Sequence, residues 1–512
     1  MPVIRSYARS RATLFGVALA LAPAAASARD SLPESGTGFS LDATAPGFGG
    51  PMLRAPRSLL AQAGSKADAV VPAVTRESEH PSPSGEGRAK SYMVPAMEIM
   101  AFDGLLSVAN RQFSSDGAYS SNLTSARNNL HGNWKVDNDP YKVNQIGHPY
   151  QGSMYHSLAR SAGLSYWEAA GYTFAGSVLW EVAGERTDPS LNDQIASGVA
   201  GSFFGEALYR MSSLVLERGG GMSPFWRELT AAAISPATGF NRHVMGYESI
   251  FSSDGAPVYS RLSMGVSGQA YNNPGTATRV RPTEALMDFS IDYGAPGRPG
   301  YTYTRPFDYF TFQGTASSAN LMENVMVRGL LYGRAYEPAD NTRGVMGIYG
   351  SYDYIAPQTY RISSTALSVG TTVQTWLTND IALQGTGLAG MGYAAVGTSH
   401  GLDEGDYHYG VTPQALLALR LVFGEKASID MTGREYFVSG VGGTTSGHDN
   451  IIRTDIALTW RIHDQHAISL RYLWNRRDAT YSGLGERIQS SDTLGIFYTL
   501  LGSDRFGAVE WR

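Results

Sequence analysis

Five side chains in the middle of the chain, His148, Glu181, Glu185, Asp193 and Glu206, are of the types that could do chemistry. Glu181 and Glu185 stand four apart, so on a helix they share one face. Glu206, on a following helix, could face them, and His148 comes just ahead of the first helix. Carboxylates and an imidazole gathered in this way can hold a divalent metal or divide acid and base roles. The same groups can also cap helix ends and pair with Arg160, Arg186 or Arg210, and the sequence leans toward that structural use. No H-E-x-x-H spacing is present, so neither a metal nor a cofactor is expected. Asn192-Asp193 follows Pro189-Ser190 and reads first as a helix cap, with the carboxylate at the positive end of the helix. Ser153, Ser157 and Ser177 lack a G-x-S-x-G setting, which leaves no serine nucleophile to nominate.

These residues need helices to position them, and the apolar spacing supplies candidates. Met97, Met100, Ala101, Leu105 and Val108 recur at helical intervals within Val94–Arg111. Ser165 with Glu168 three residues on forms a capping box for a helix running through Phe174 and Trp180 to about Gly184. After Asp188-Pro189-Ser190 a second helix, capped by Ser190 or Asn192, reaches to about Leu216. Ala169, Gly176 and Ser177 on the first helix, and Ser197, Gly201 and Gly205 on the second, allow close backbone approach. A transmembrane hairpin is disfavoured. The first apolar stretch is too short for a span, and Glu206 and Arg210 would be costly at bilayer depth. The expectation is a helical hairpin packed on a barrel or on the membrane surface. Tyr166, Trp167, Tyr172 and Trp180 would then pack against the barrel sooner than reach lipid headgroups.

From about residue 258 the period changes from 3.6 to 2. Ile452, Thr454, Ile456, Leu458, Trp460 and Ile462 alternate with Arg453, Asp455, Ala457, Thr459 and Arg461. Similar segments at 258–270, 284–293, 307–316, 324–336, 344–354, 361–376, 379–397, 409–423, 427–438, 468–475 and 492–502 bring the total to about 12. Aromatic residues such as Tyr293, Tyr352, Tyr354 and Trp474 flank the apolar faces, like the interfacial girdles of a membrane barrel. Connectors rich in Gly and Asp, including 403–407 and 440–450, alternate with short turns, as loops alternate with turns in such barrels. Barrels usually finish on an aromatic residue, whereas here Trp511 is followed by Arg512. His408, His463 and His466 fall near turns and are expected to be solvated.

Composition agrees with a sheet protein in lipid. The 512 residues include 59 Gly, 29 Tyr and no Cys, and only 17% are charged. Absence of Cys excludes a disulfide framework and thiolate chemistry. A formal charge of −5 gives no basic field for nucleic acid. Arg5, Arg9 and Arg11 precede the apolar run Thr13–Ala22, and Ala26-Ser27-Ala28 offers an A-x-A cleavage site, together a signal peptide over 1–28. The Pro-, Gly-, Ala- and Ser-rich stretch 29–93 reads as a disordered tether.

The stretches VPAMEIMAFDGLLSVANR, WKVDNDPYKVNQIGHPYQGSMYHSLARSAG and RELTAAAISPATGFNR resemble a bacterial family of unknown function, domain of unknown function 3943, over about residues 94–242. The resemblance implies an envelope protein of Gram-negative type and brings no activity with it.

The fold expected is mainly β: a C-terminal antiparallel transmembrane β-barrel of about 12 strands over 251–512. A helical region over 94–250 precedes it, plugging the lumen or standing in the periplasm. The partners expected are outer-membrane lipid and, during biogenesis, the barrel-assembly machinery. Function divides into a barrel for passage or envelope organisation and, as the alternative, a membrane-embedded lipid-modifying hydrolase using His148, Glu181 and Glu185. Whether any activity is enzymatic stays open.

Overall fold

A computed structural model describes residues 90–511 apart from 114–119, 138, 220, 248–250, 254, 273–280, 399–406, 442–445, 482–484 and 504. The expected signal peptide, and all but the last few residues of the expected tether, lie outside the described residues. Helices come first: α1 (Met93–Phe113), α2 (Leu123–His131), α3 (His148–Ser161), α4 (Tyr166–Leu179), the short α5 (Leu191–Asp193), α6 (Gly201–Arg218), α7 (Pro224–Ile234) and α8 (Pro236–His243). Three π-helical stretches, Val143–Gly147, Trp180–Gly184 and Gln194–Ala200, are spliced into this order.

Strands follow: β1 (Val258–Asn272), β2 (Thr283–Tyr293), β3 (Phe310–Ser317), β4 (Asn324–Ala339), β5 (Thr342–Ile355) and β6 (Tyr360–Trp376). They continue with β7 (Ile381–Thr398), β8 (Tyr407–Phe423), β9 (Ala427–Ser439), β10 (Gly447–His463), β11 (His466–Tyr481) and β12 (Gly485–Leu501). Each pairs antiparallel with its neighbours in sequence, and β12 closes on β1 to make a 12-stranded barrel. The twelve alternating segments of the sequence correspond one to one with these strands.

Alternation decides which side faces in. Arg261 of β1 reaches Asp430 of β9 at 3.0 Å, Arg420 of β8 reaches Asp292 of β2 at 2.8 Å, and Arg471 of β11 reaches Asp288 of β2 at 3.4 Å. Pairs between strands so far apart in the sheet must cross the lumen. The opposite positions therefore point outward, and they carry a belt of exposed apolar side chains. Leu458, Leu470, Ile496 and Val266 stand side by side in one such row, from 44% to 55% exposed. A soluble barrel would not leave so continuous a patch in water. This is a membrane-spanning barrel.

The helices lie outside it. On the strands they touch Tyr293, Phe312, Val325, Val327, Tyr352, Tyr354, Ala395, Tyr407 and Tyr409, all at outward positions. Phe204 stacks on Phe312 with ring centroids 6.4 Å apart and meets Tyr352 at 5.9 Å. Gly350 gives Phe203 room, since a Cβ there would lie 2.4 Å from its ring. The lumen is thus not plugged by the helical module: its wall-facing side chains are aromatic and apolar and match the outer face, whereas the lumen wall is charged. Of the placements expected, packing on the barrel is the one found. Tyr293, Tyr352 and Tyr354 accordingly form no lipid-facing girdle, because the helices bury them to 2% exposure or less.

The small-residue stripe works as expected but against a different partner. Gly201 and Gly205 of α6 press on α3, where a Cβ on Gly201 would sit 2.7 Å from Gly152 Cα. That helix went unnoticed in the sequence because it is buried around most of its circumference, with Gln151, Ser153, His156 and Ser157 facing neighbours. It has no polar face to set a period.

An arginine in the outward row tests the membrane assignment. Ile496→Arg is expected to destabilise the barrel by about 2 kcal/mol or more in urea unfolding from lipid vesicles. Unchanged stability would contradict a lipid-facing belt.

Candidate functional site

The structure divides the five candidate residues between two buried clusters. His148, Glu181, Glu185 and Asp193 come together where the π-helical stretches meet, and each is 5% exposed or less. His148 follows the first stretch and opens α3, with Pro149 in its first turn. Glu181 lies in the second, and Asp193 immediately precedes the third. π-Helical turns widen the helix by one residue and recur at functional sites.

Within this cluster each acid has one anchored oxygen or more. Glu181 Oε2 accepts from Ser190 N at 2.9 Å, and Asp193 Oδ1 accepts from Asn192 Nδ2 at 3.1 Å. Glu185 is held at both oxygens, by Trp180 Nε1 at 2.8 Å and Thr187 Oγ1 at 3.1 Å. His148 Nδ1 lies 3.2 Å from Ser197 Oγ, and its Nε2 lies 3.6 Å from Asp193 Oδ2. Burial, with Glu185 beside it, pushes the Glu181 carboxyl well above the usual carboxylate range. Burial and neighbouring carboxylates push Asp193 up as well, and burial pushes the His148 imidazole down.

A polar seam ties this cluster to the barrel. Asp137 Oδ1 accepts from Asn144 Nδ2 and Asn192 Nδ2, both at 2.7 Å. Asn192 Nδ2 also donates to Tyr409 OH at 2.8 Å, and Asn144 Nδ2 to Tyr407 OH at 3.0 Å. Ser190 Oγ, and not Asn192, caps the Asp193 amide, at 3.2 Å. The sequence pointed to Asn192 only as a cap; its bonds to Asp137 and Tyr409 join residues up to 217 apart and leave no local signal.

Glu206 belongs elsewhere. Its Oε2 accepts from Arg160 Nε at 2.8 Å and lies 3.1 Å from His156 Nε2, while Oε1 accepts from Arg210 Nε at 2.7 Å. Arg210 continues to Asp308 Oδ1 at 3.2 Å and to Pro306 O at 2.6 Å in the β2–β3 connection. Burial alone would raise the Glu206 carboxyl, but Arg160, His156 and Arg210 together hold it well below the usual carboxylate range. The expected pairing with Arg160 and Arg210 is therefore present for this residue. His156 was not singled out from the sequence, although its i,i+4 relation to Arg160 was available there. Arg186 is exposed and makes no contact with the carboxylates among the described residues.

Aromatic and histidine expectations sort in the same way. Tyr166 stacks on Phe307 at 5.8 Å, and Trp180 is buried inside the module, whereas Trp167 is 59% exposed. Among the strand histidines, His463 and His466 are exposed. His408 is buried instead, 3.1 Å from Asp449, because its strand position faces the lumen.

Residues 133–237 match DUF3943, a domain of unknown function. The DUF3943 match contains all five candidate residues, and α1, α2 and the strands fall outside it. No curated protein matches the chain. Among solved structures, the KdgM porin is 6% identical, with 46% of this chain and 98% of that one covered and a TM-score of 0.21. The outer membrane channel DcaP of Acinetobacter baumannii is 7% identical, with 49% and 99% covered and a TM-score of 0.22. The Pseudomonas putida toluene transporter TodX is 9% identical, with 48% and 89% covered and a TM-score of 0.21. Likeness this slight carries no argument, and the barrel rests on its own register.

Glu206→Gln should leave Arg160 without its carboxylate and Arg210 with Asp308 alone, and cost about 3–5 kcal/mol in denaturant unfolding. The sign of the pH effect follows from the lowered carboxyl. Its stabilisation is fully present above the unfolded value of about 4.3 and is lost as pH falls toward the lower folded value. The acid limb of the stability profile should therefore flatten in Glu206→Gln.

Proposed function

We propose that this is an outer-membrane protein whose barrel is closed to passage and serves to hold the DUF3943 module against its lipid-facing wall. The observation that carries this reading is the filling of the lumen. At the end where β5 turns into β6 and β9 into β10, Ile355, Tyr360, Ile362, Val396, Tyr436, Val438 and Ile451 form an apolar cluster inside the barrel. Beside it Arg477 bridges Asp449 at 2.7 Å and Gln489 at 2.8 Å. In the middle, the cross-lumen ion pairs surround a cavity of about 190 Å³.

At the opposite end the chain supplies its own stopper. Beyond β12, Gln384 Nε2 donates to Gly507 O at 2.8 Å, and Gln374 bonds both Val509 O, at 2.6 Å, and Val509 N, at 2.9 Å. Phe506 is fully buried against Tyr259 and Trp376. The aromatic Trp511 thus ends a segment folded against the barrel mouth, which accounts for its distance from the last strand. Small barrels filled by side chains are a recognised alternative to open pores.

Lipid is the environment this reading assigns to the module's far side as well. Met97, Leu105, Val108, Phe174, Phe225 and Trp226 of the module are exposed, and no described helix is long and apolar enough to cross a membrane. The module would then lie along the barrel within the membrane boundary, after insertion by the barrel-assembly machinery. A hydrolase acting on lipid through His148, Glu181 and Glu185 finds no support in the geometry, since those groups are buried inside the module.

Planar-bilayer recording of the purified full-length protein tests the closed barrel. The expected result is negligible steady conductance. A stable ohmic current of porin size would overturn the proposal.

A further inference from the structure

We propose that His148, Glu181 and Asp193 bind a divalent transition-metal ion at the centre of the DUF3943 module. One ligand-capable atom of each residue lies within 4.8 Å of the other two. Both acids are 1% exposed, yet among the described residues Glu181 Oε1 and Asp193 Oδ2 have no hydrogen-bond partner. Buried carboxylate oxygens are rarely left so, because losing water without a replacement is costly.

The arrangement has the form of a metal site with its supporting shell in place. Glu181 is fixed through its other oxygen by Ser190 N, and Asp193 through its other oxygen by Asn192. The contact of His148 Nδ1 with Ser197 Oγ orients the ring and turns Nε2 toward Asp193 Oδ2. Each ligand thus has one atom tied down and one left facing a common point, as outer-shell partners arrange around bound metals. An ion about 2.1 Å from each ligand would place neighbouring donors roughly 3.4 Å apart. The His148–Asp193 separation of 3.6 Å is already close to that.

Charge points the same way. The groups acting most strongly on Asp193 are Asp137, Glu181 and Glu185, all acidic. The neighbouring Glu206 cluster, by contrast, is balanced by two arginines. Glu185 has both oxygens engaged and acts as a support. One imidazole with two carboxylates suits Zn²⁺, Mn²⁺ or Fe²⁺ better than Ca²⁺, which takes six to eight oxygens. Such an ion would tie the start of α3 to the second and third π-helical stretches. The inference stands independently of whether the lumen conducts.

The test is elemental analysis and thermal unfolding of the full-length protein, isolated from membranes without chelator. About one Zn, Mn or Fe per chain is expected. Stripping with a chelator should lower the melting temperature, and Zn²⁺ or Mn²⁺ should restore it. Glu181→Gln and Asp193→Asn should weaken binding of added Zn²⁺ by about tenfold or more. Stripped, each variant should be at least as stable as the stripped parent, since one buried carboxylate is gone; a folding defect would appear as the reverse. The proposal is overturned if the isolated protein is metal-free, takes up neither Zn²⁺ nor Mn²⁺, and melts unchanged. Restoration by Ca²⁺ alone would likewise overturn it.

Discussion

Lipid outside and charge inside is the constraint on which the rest of this molecule depends. A strand has two faces, and slipping its register by one residue exchanges them. In β10 such a slip would put Arg453 and Asp455 into the bilayer and Ile456 and Leu458 into the lumen. The cross-lumen pairs make the exchange costlier still, because Arg420 bridges Asp430 and Asp292 on two other strands. Register on each strand is therefore fixed both by what it keeps out of lipid and by what it meets across the lumen.

The helical module obeys the same rule. Its buried polar residues gather around His148 and Glu206, and apolar residues such as Phe203 and Phe204 turn toward the barrel. Phe203 and Phe204 reach the wall where Gly350 and Phe312 accept them, so the contact is aromatic and continuous with the belt. Asn144, Asn192 and Arg210 reach the barrel all the same, and Arg210 is satisfied on both sides: Glu206 on its own helix, and Asp308 and Pro306 from the barrel's β2–β3 connection. Removing water from that arginine is tolerable only because its partners surround it.

These two levels were unequally legible in the sequence. Strands announce themselves by alternation, and all twelve could be read because lipid and lumen impose opposite demands on adjacent residues. The capping box at Ser165 and Glu168 and the Ser190 cap were legible for the same reason, being local. Helix α3 was not, since a helix buried on most sides loses the polar stripe that marks a period. Nor could sequence tell Tyr352 and Tyr354 from girdle aromatics, because outward residues look alike whether lipid or a helix covers them. The separation of Glu206 from Glu181 rests on which side of α6 meets α3, where its partners Arg160 and His156 lie 46 and 50 residues away in the chain.

Two clusters of similar composition are satisfied very differently. Glu206 faces Arg160 and Arg210, whose charges offset its own, while Asp193 lies with Glu181 and His148. One cluster is complete in the chain's own residues: imidazole, carboxylate and two guanidinium groups, every Glu206 oxygen engaged. The other has ligand groups fixed from behind and oxygens facing inward that have no partner among the described residues. A fold that satisfies Glu206 so fully, a few turns away along the same helices, had the means to satisfy Glu181 and Asp193 too. Bare carboxylate oxygens also occur on Glu98 and Asp103 of α1; what sets this point apart is that two of them converge with an imidazole nitrogen within 4.8 Å.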